Sequence, residues 1–167
     1  LWQLGVTVRL TLLSNALKFT SKGEILVSVE EESQKKEEVT LHFTVSDTGI
    51  GIPKAKQSLI FKAFSQADSS TTRKFGGTGL GLTISAKLVG MMQGKIWLKS
   101  QAAKGSEFHF TVTLGIKPIS KLKLPSFQAK KFKNLPVLII DDNDTNRRIL
   151  KEIVKSWNML WFFNKKL

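Results

Sequence analysis

Arg73-Lys74-Phe75-Gly76-Gly77-Thr78-Gly79-Leu80-Gly81-Leu82 places four glycines in positions 76–81, directly before a segment with helical periodicity. Glycine admits positive φ and lets backbone N–H groups approach an anion with no side chain in the way. A helix that starts there points its positive end at the same anion. Leu80, Ile84, Leu88 and Met91 recur at helical spacing and predict the buried stripe that anchors this loop. Taken alone, the cluster reads first as a flexible turn before a helix. It also lacks the G-x-x-x-x-G-K-[ST] and strand-G-x-G-x-x-G patterns of the commoner phosphate loops.

Working outward, Leu10 to Phe19 predicts a helix whose broad apolar side carries Leu12, Leu13, Ala16, Leu17 and Phe19. Thr11, Asn15 and Lys18 share one polar stripe on it. That stripe is either the solvated side of an amphipathic helix or a ligand-facing one. In the second case Asn15 offers a carbonyl oxygen to Mg²⁺, a hard cation. Ser21-Lys22-Gly23 ends the helix, Ile25, Val27 and Val29 alternate as a strand, and Glu30 to Glu38 forms a charged hairpin connection. Leu41, Phe43 and Val45 then bring Asp47 to a strand end before Thr48-Gly49-Ile50-Gly51-Ile52-Pro53. A carboxylate there can accept from a planar amine lying against glycine backbone, or simply shape an Asp-Thr-Gly turn.

Residues 54–75 begin as a short helix with Ile60, Phe61 and Phe64 and continue as a polar loop that is a candidate lid. Beyond the glycine-rich helix, Ile96 and Leu98 face inward on one strand, and Phe108, Phe110, Val112 and Leu114 on the next. His42 and His109 fall in outward phase and are expected at the surface. Pro118 to Pro136 has linker character. Val137 to Ile140 has the continuous apolar run of a parallel strand buried on both faces and ends in Asp141-Asp142. Ile149, Leu150, Ile153, Val154 and Trp157 follow with helical spacing.

Composition narrows the class. The 167 residues suffice for one cored domain and a fragment, or for two small domains. No apolar run approaches the roughly 20 residues that cross a bilayer, so no membrane segment is expected in this chain. The absence of cysteine excludes disulfides and thiolate metal sites and fits a cytoplasmic setting. A net charge of +13 invites a nucleic-acid reading, but residues 115–135 alone hold six lysines and no acid. That pattern is a solvated basic linker rather than a specific nucleic-acid face, with polyanion binding as the bolder reading.

Three boxes in order carry a family resemblance: Leu12-Leu13-Ser14-Asn15-Ala16-Leu17-Lys18-Phe19-Thr20, then Asp47 to Pro53, then Gly76 to Leu82. Over residues 9–114 the chain resembles the catalytic ATP-binding domain of sensor histidine kinases. Ile60 to Gln66 resembles that family's phenylalanine box, with Lys62 where an acid is common, and Leu88 to Leu114 its closing hairpin. The resemblance implies an α/β fold, a two-layer Bergerat-type sandwich of a mixed, largely antiparallel sheet with helices on one face. It also implies ATP and Mg²⁺ as ligands. Asn15 would hold Mg²⁺, Lys18 and Arg73 would approach the phosphates, and Asp47 would take the adenine amine. Gly49 and Gly51 would shape the adenine pocket, while Gly77, Thr78, Gly79, Leu80 and Gly81 would hold the phosphates. Thr11 stands where the family usually has Asn or His. Related chaperone, topoisomerase and mismatch-repair ATPases place a glutamate base in this box, so Thr11 points to phosphoryl transfer rather than hydrolysis.

Residues 136–159 resemble the start of a response-regulator receiver domain, in which Asp141 and Asp142 would help bind Mg²⁺. The implied organisation is an N-terminally incomplete catalytic domain over 1–115, a Lys/Pro linker over 116–135 and a truncated receiver start over 136–167, the last an incomplete βα piece of a flavodoxin-like fold. Leu160 to Leu167 resembles nothing in the family. A hybrid histidine kinase is implied, with a histidine-bearing dimerisation domain and a receiver domain or response regulator as partners. The alternative is a catalytically incomplete nucleotide-binding interaction module.

Overall fold

The computed structural model describes residues 2–62, 79–116 and 132–164, with the side chains of Trp2, Gln3 and Asn164 excepted. It divides into two compact units, Leu1–Pro118 and Ile119–Leu167.

In the first unit, α1 (Trp2–Phe19) is followed by β1 (Ile25–Gln34), β2 (Glu38–Asp47) and the short α2 (Lys54–Gln57). Next come α3 (Gly81–Met91), β3 (Ile96–Gln101) and β4 (Gly105–Gly115). The strands form one sheet in the order β1-β2-β4-β3, and every described pair is antiparallel. Register puts Phe43 opposite Phe110, Val45 opposite Phe108 and Leu41 opposite Val112, so these side chains share one face of the sheet. The Phe43 and Phe110 rings stack with centroids 4.7 Å apart. Val8, Leu12 and Ala16, spaced one turn apart on α1, Val89 of α3 and Met92 just beyond its end complete the core against that face.

Several expectations shift by a turn or a residue. Helix α1 starts well before Leu10 because Val8 is the first member of its buried stripe, and the burial of Val8 and Leu12 outweighs the weak helix propensity of the β-branched Val6, Thr7, Val8 and Thr11. On α3 the buried stripe is Ser85, Val89 and Met92, whereas Ile84 is 48% and Met91 67% exposed. The two stripes are one residue apart on a helix that is apolar on most sides, so spacing alone does not choose between them. Strand β1 continues to Gln34 with a register irregularity between Glu31 and Ser33, which shortens the hairpin connection to Lys35–Glu37. As an edge strand β1 leaves Val27 and Val29 exposed.

His109 is the clearest correction, at 6% exposure rather than at the surface. Its strand has neighbours on both sides, and the rings of His42 and Trp97 stack around it at 5.3 and 5.1 Å. Nδ1 of His109 lies 3.2 Å from His42 Nε2 and 3.1 Å from Thr44 Oγ1. Outward phase on an interior strand is therefore not solvent exposure when both neighbours carry rings.

The second unit is a β-α-β element: β5 (Pro136–Ile140), α4 (Asp144–Ser156) and β6 (Leu160–Asn164), with β5 and β6 paired in parallel. Strand β6 occupies the segment that resembled nothing, and its aromatic Trp161, Phe162 and Phe163 suit a strand. Strand β5 is not buried on both faces. Ile139 and Val154 are buried, but Leu138 and Ile140 are exposed, because among the described residues a single strand and a single helix cover them.

Candidate functional site

Asp47 ends β2, an interior strand, with Ile25 of β1 on one side and Ser106 of β4 on the other. Its carboxylate is nearly buried, and Oδ1 accepts the Gly49 N–H at 2.8 Å. Among the described residues Oδ2 accepts nothing, so one lone-pair face stays open to a donor. Buried carboxylates ordinarily find partners, which makes an open oxygen informative.

The loop after Asp47 is wedged between the end of α1 and the β3–β4 hairpin. Ile50 N–H donates to the Phe19 carbonyl at 3.2 Å, and Ala103 N–H donates to the Ile50 carbonyl at 2.7 Å. At Gly49 a Cβ would lie 2.8 Å from Thr20 Oγ1 and 2.9 Å from Asp47 Oδ1, and closer still to the Phe19 carbonyl oxygen. Gly51 has φ +64° and presses on the Gln101 carbonyl, so it needs both a left-handed backbone and a missing side chain. Thr20 Oγ1 is buried beside Gly49 with no hydrogen-bond partner among the described residues. The second carboxylate oxygen of Asp47 is thus the group here that a ligand donor can address, while the bare faces of Gly49 and Gly51 are taken up by the Phe19, Gln101 and Gly105 carbonyls.

The middle of α1, at Thr11, meets the glycine-rich segment. A Cβ on Gly81, the first residue of α3, would come 3.1 Å from Thr11 Cγ2. Gly79 has φ +70°, and no side chain caps the α3 N-terminus at Leu80. Thr83 Oγ1 donates to the Phe61 carbonyl at 3.1 Å, which ties the first turn of α3 to the phenylalanine-rich segment. From Thr11 to Phe19 is eight residues, about 12 Å of helix at 1.5 Å per residue. Asn15 sits midway, and its amide has no hydrogen-bond partner among the described residues. The C-terminal half of α1 thus runs from the start of α3 to the Asp47 corner, with one polar stripe along it. Lys18 lies on that stripe, its ammonium 5.1 Å from the Phe19 ring.

Asn15, Lys18, Asp47, Gly49, Gly51, Gly79, Leu80 and Gly81 therefore fall along the C-terminal half of α1 and the two segments that pack against it. Arg73, Gly77 and Thr78, with the whole polar loop that is the candidate lid, lie outside the described residues. The Thr11 hydroxyl donates to the Thr7 carbonyl at 3.0 Å and is turned back into its own helix. Among the described residues no group of three or more His, Cys, Asp or Glu side chains could hold a metal. A Mg²⁺ at Asn15 would thus depend on that one carbonyl oxygen plus phosphate and water, a usual mode for this ion. Ser106 was not singled out from sequence. It is buried directly across from Asp47, and only the register of β2 and β4 reveals it.

In the second unit, Asp141 Oδ1 accepts the Asn143 N–H at 2.8 Å, and Asn146 Nδ2 reaches both carboxylate oxygens. Buried Arg147 donates to the Asp141 carbonyl and pairs with Asp144. Asp141 is thus held within the turn that caps α4, while Asp142 is exposed.

Residues 6–116 match the family described as histidine kinase-, DNA gyrase B-, and HSP90-like ATPase. Autoinducer 2 sensor kinase/phosphatase LuxQ of Vibrio vulnificus (strain YJ016) is 40% identical over 156 residues, 91% of this chain and 18% of the relative. Signal transduction histidine-protein kinase BarA of Escherichia coli (strain K12) is 44% identical over 124 residues, 74% of this chain and 14% of the relative. This chain therefore spans less than a fifth of the length of these curated relatives. The crystal structure of full-length ShkA in complex with AMPPNP superposes with a TM-score of 0.68 at 24% identity, covering 96% of this chain and 31% of that one, and so shares the fold.

Proposed function

On the premise that this chain belongs to the histidine kinase-, DNA gyrase B-, and HSP90-like ATPase family, we propose that it delivers the terminal phosphoryl of ATP to a histidine on a separate helical dimerisation domain. It is the ATP-binding catalytic domain of the hybrid sensor histidine kinase type. The observation that carries the reading is the half of α1 from Thr11, which packs on Gly81, to Phe19, which packs on Gly49 beside Asp47.

In this reading Asp47 Oδ2 accepts from the adenine amine while Oδ1 stays committed to Gly49. Gly49 and Gly51 let the loop press on the Phe19 and Gln101 carbonyls and so shape the pocket for the ring. Asn15 offers its amide oxygen to Mg²⁺ and Lys18 approaches the phosphates, and Gly79, Leu80 and Gly81 turn the α3 N-terminus toward them. Arg73, Gly77 and Thr78 would complete the phosphate side. Bound ATP with its Mg²⁺ would supply the transferable phosphoryl group and the charge neutralisation its transfer requires. Residues 136–167 are read as a receiver start, supported by the parallel β-α-β order and the acids after β5, with Asp141 and Asp142 toward Mg²⁺. The partners are then the histidine-bearing dimerisation domain and a receiver domain or response regulator. No described helix is long and apolar enough to cross a membrane.

Titration calorimetry with ATP and Mg²⁺ tests the reading. Asp47→Asn keeps the bond to Gly49 but turns an amide donor toward the adenine amine. Affinity then falls by about 10- to 100-fold, the loss of a charge-assisted bond worth about 1.5–3 kcal/mol. Unchanged affinity would refute the assignment. A second reading, a nucleotide-binding interaction module without chemistry, is favoured by the Thr11 hydroxyl being turned back on Thr7, so that it does not stand beside Asn15 as a second oxygen for a metal. Incubation with radiolabelled ATP and a separate histidine-bearing helical domain decides between them, since label on that histidine excludes the inert module.

A further inference from the structure

We infer that Ser100 and Gln57, neither of which touches the nucleotide in the reading above, are positioning residues that set the base-binding loop and with it the preference for adenine. The inference rests on the proposed nucleotide site and concerns what holds its glycine loop in place. Ile52 follows Gly51 in that loop, and both of its backbone groups are bound by side chains. Its N–H donates to Ser100 Oγ at 2.8 Å, and its carbonyl accepts from Gln57 Nε2 at 2.8 Å. The same Gln57 amide nitrogen donates to the Ser100 carbonyl at 2.9 Å, so the two side chains form a closed clasp across α2, the loop and β3.

The clasp reaches Asp47 through β4. Ser100 Oγ donates to the Gly105 carbonyl at 2.7 Å and lies 3.3 Å from Ser106 Oγ. Ser106 is the register partner of Asp47, and Gly105 packs against the Asp47 carbonyl. A Cβ on Gly51 would come 3.0 Å from that same Gly105 oxygen. The single Ser100 hydroxyl therefore ties the loop at Ile52 to the two β4 residues that flank Asp47, and so sets how far the loop stands from the carboxylate. Gln57 prevents the far end of the loop from swinging away. Discrimination between purines depends on where the ring edge falls relative to one carboxylate oxygen, so a loosened loop admits a ring whose edge carries the opposite donor and acceptor pattern. Backbone groups freed by removing either side chain stay partly buried and lose bonds that water replaces poorly.

The test measures ATP and GTP affinity by calorimetry with Mg²⁺ on the full chain, for wild type, Ser100→Ala, Ser100→Thr and Gln57→Met, alongside thermal unfolding. Ser100→Ala and Gln57→Met are each expected to weaken ATP by about tenfold and to narrow the ATP-to-GTP ratio by a similar factor. Ser100→Thr, which keeps the hydroxyl, restores both. A purely structural role would lower the melting temperature without changing the ratio between the two nucleotides, and that result overturns the inference. So does wild-type selectivity in both Ser100→Ala and Gln57→Met. If wild type itself binds neither nucleotide, the nucleotide site and the inference fail together. Wild-type binding with unaffected variants sinks the inference alone.

Discussion

Replacing Gly49 by alanine tests how tightly the Asp47 corner is built. The new methyl would stand 2.8 Å from Thr20 Oγ1 and 2.9 Å from Asp47 Oδ1, where ordinary contact begins near 3.4 Å. Thr20 can rotate, but the still closer obstacle is the Phe19 carbonyl oxygen, which is backbone at the end of α1 and cannot turn aside. The loop must therefore move by about half an ångström or more, an overpacking strain of about 1–3 kcal/mol. That motion also stretches the 2.8 Å bond from Gly49 N–H to Asp47 Oδ1 and the 3.2 Å bond from Ile50 N–H to Phe19. Part of a charge-assisted bond worth about 1.5–3 kcal/mol is lost in the same displacement, so the total is about 2–4 kcal/mol rather than the full sum. Urea unfolding of Gly49→Ala measures the stability loss, and calorimetry with ATP measures a loss of about tenfold or more in affinity. Gly90→Ala is the internal control. It lies in α3 with nothing within 4 Å of the new methyl and gains about 0.5–1 kcal/mol from the same chemical change. Stability of Gly49→Ala within about 0.5 kcal/mol of wild type, with ATP affinity retained, would refute the close-approach reasoning.

The remaining outcomes follow from burial, titration and capping. Phe110→Ala removes the fully buried ring that stacks on Phe43 and costs about 3–5 kcal/mol in urea unfolding. Burial first, then the charges of Lys99 and His42, push the His109 imidazole below its ordinary value of 6.5, against the pull of Glu107. The unfolded chain then takes that proton first, so stability is unaffected well above pH 6.5 and falls as pH drops through 6.5 toward the lower folded value. Urea midpoints between pH 7.5 and 5.5 are expected to decline less steeply in His109→Gln than in wild type; equal slopes would exclude His109 as the source. Asn143→Ala removes the side chain that accepts the Asn146 N–H at 3.0 Å and weakens the start of α4 by about 0.5–2 kcal/mol, read from faster amide exchange at residues 144–147.

What was legible in the sequence had local causes. Alternation in Leu41, Phe43 and Val45 predicted a strand ending at Asp47, and glycines at 49 and 51 announced a backbone that something must approach closely. What escaped depends on neighbours distant in the chain. Ser106 and Ser100 look like ordinary hairpin serines until register sets one opposite Asp47 and aims the other at Ile52. His109 had the right phase for solvent, but the flanking rings of His42 and Trp97 close over it. The stripe on α3 was misplaced by one residue because Leu80, Ile84, Leu88 and Met91 match helical spacing as well as Ser85, Val89 and Met92 do. A small buried serine gives no hydrophobic signal to break that tie. Strand β6 was missed because its aromatic run carries no alternation.

Asp47 ends a strand with partners on both edges, so nothing short of separating the sheet releases it. In the proposed reading the seat for the purine is therefore in place before any nucleotide arrives, and occupying it costs little ordering. Adenosine, which does not reach the triphosphate end, would then bind with a smaller loss of entropy than ATP, because the groups it meets are already held by the sheet.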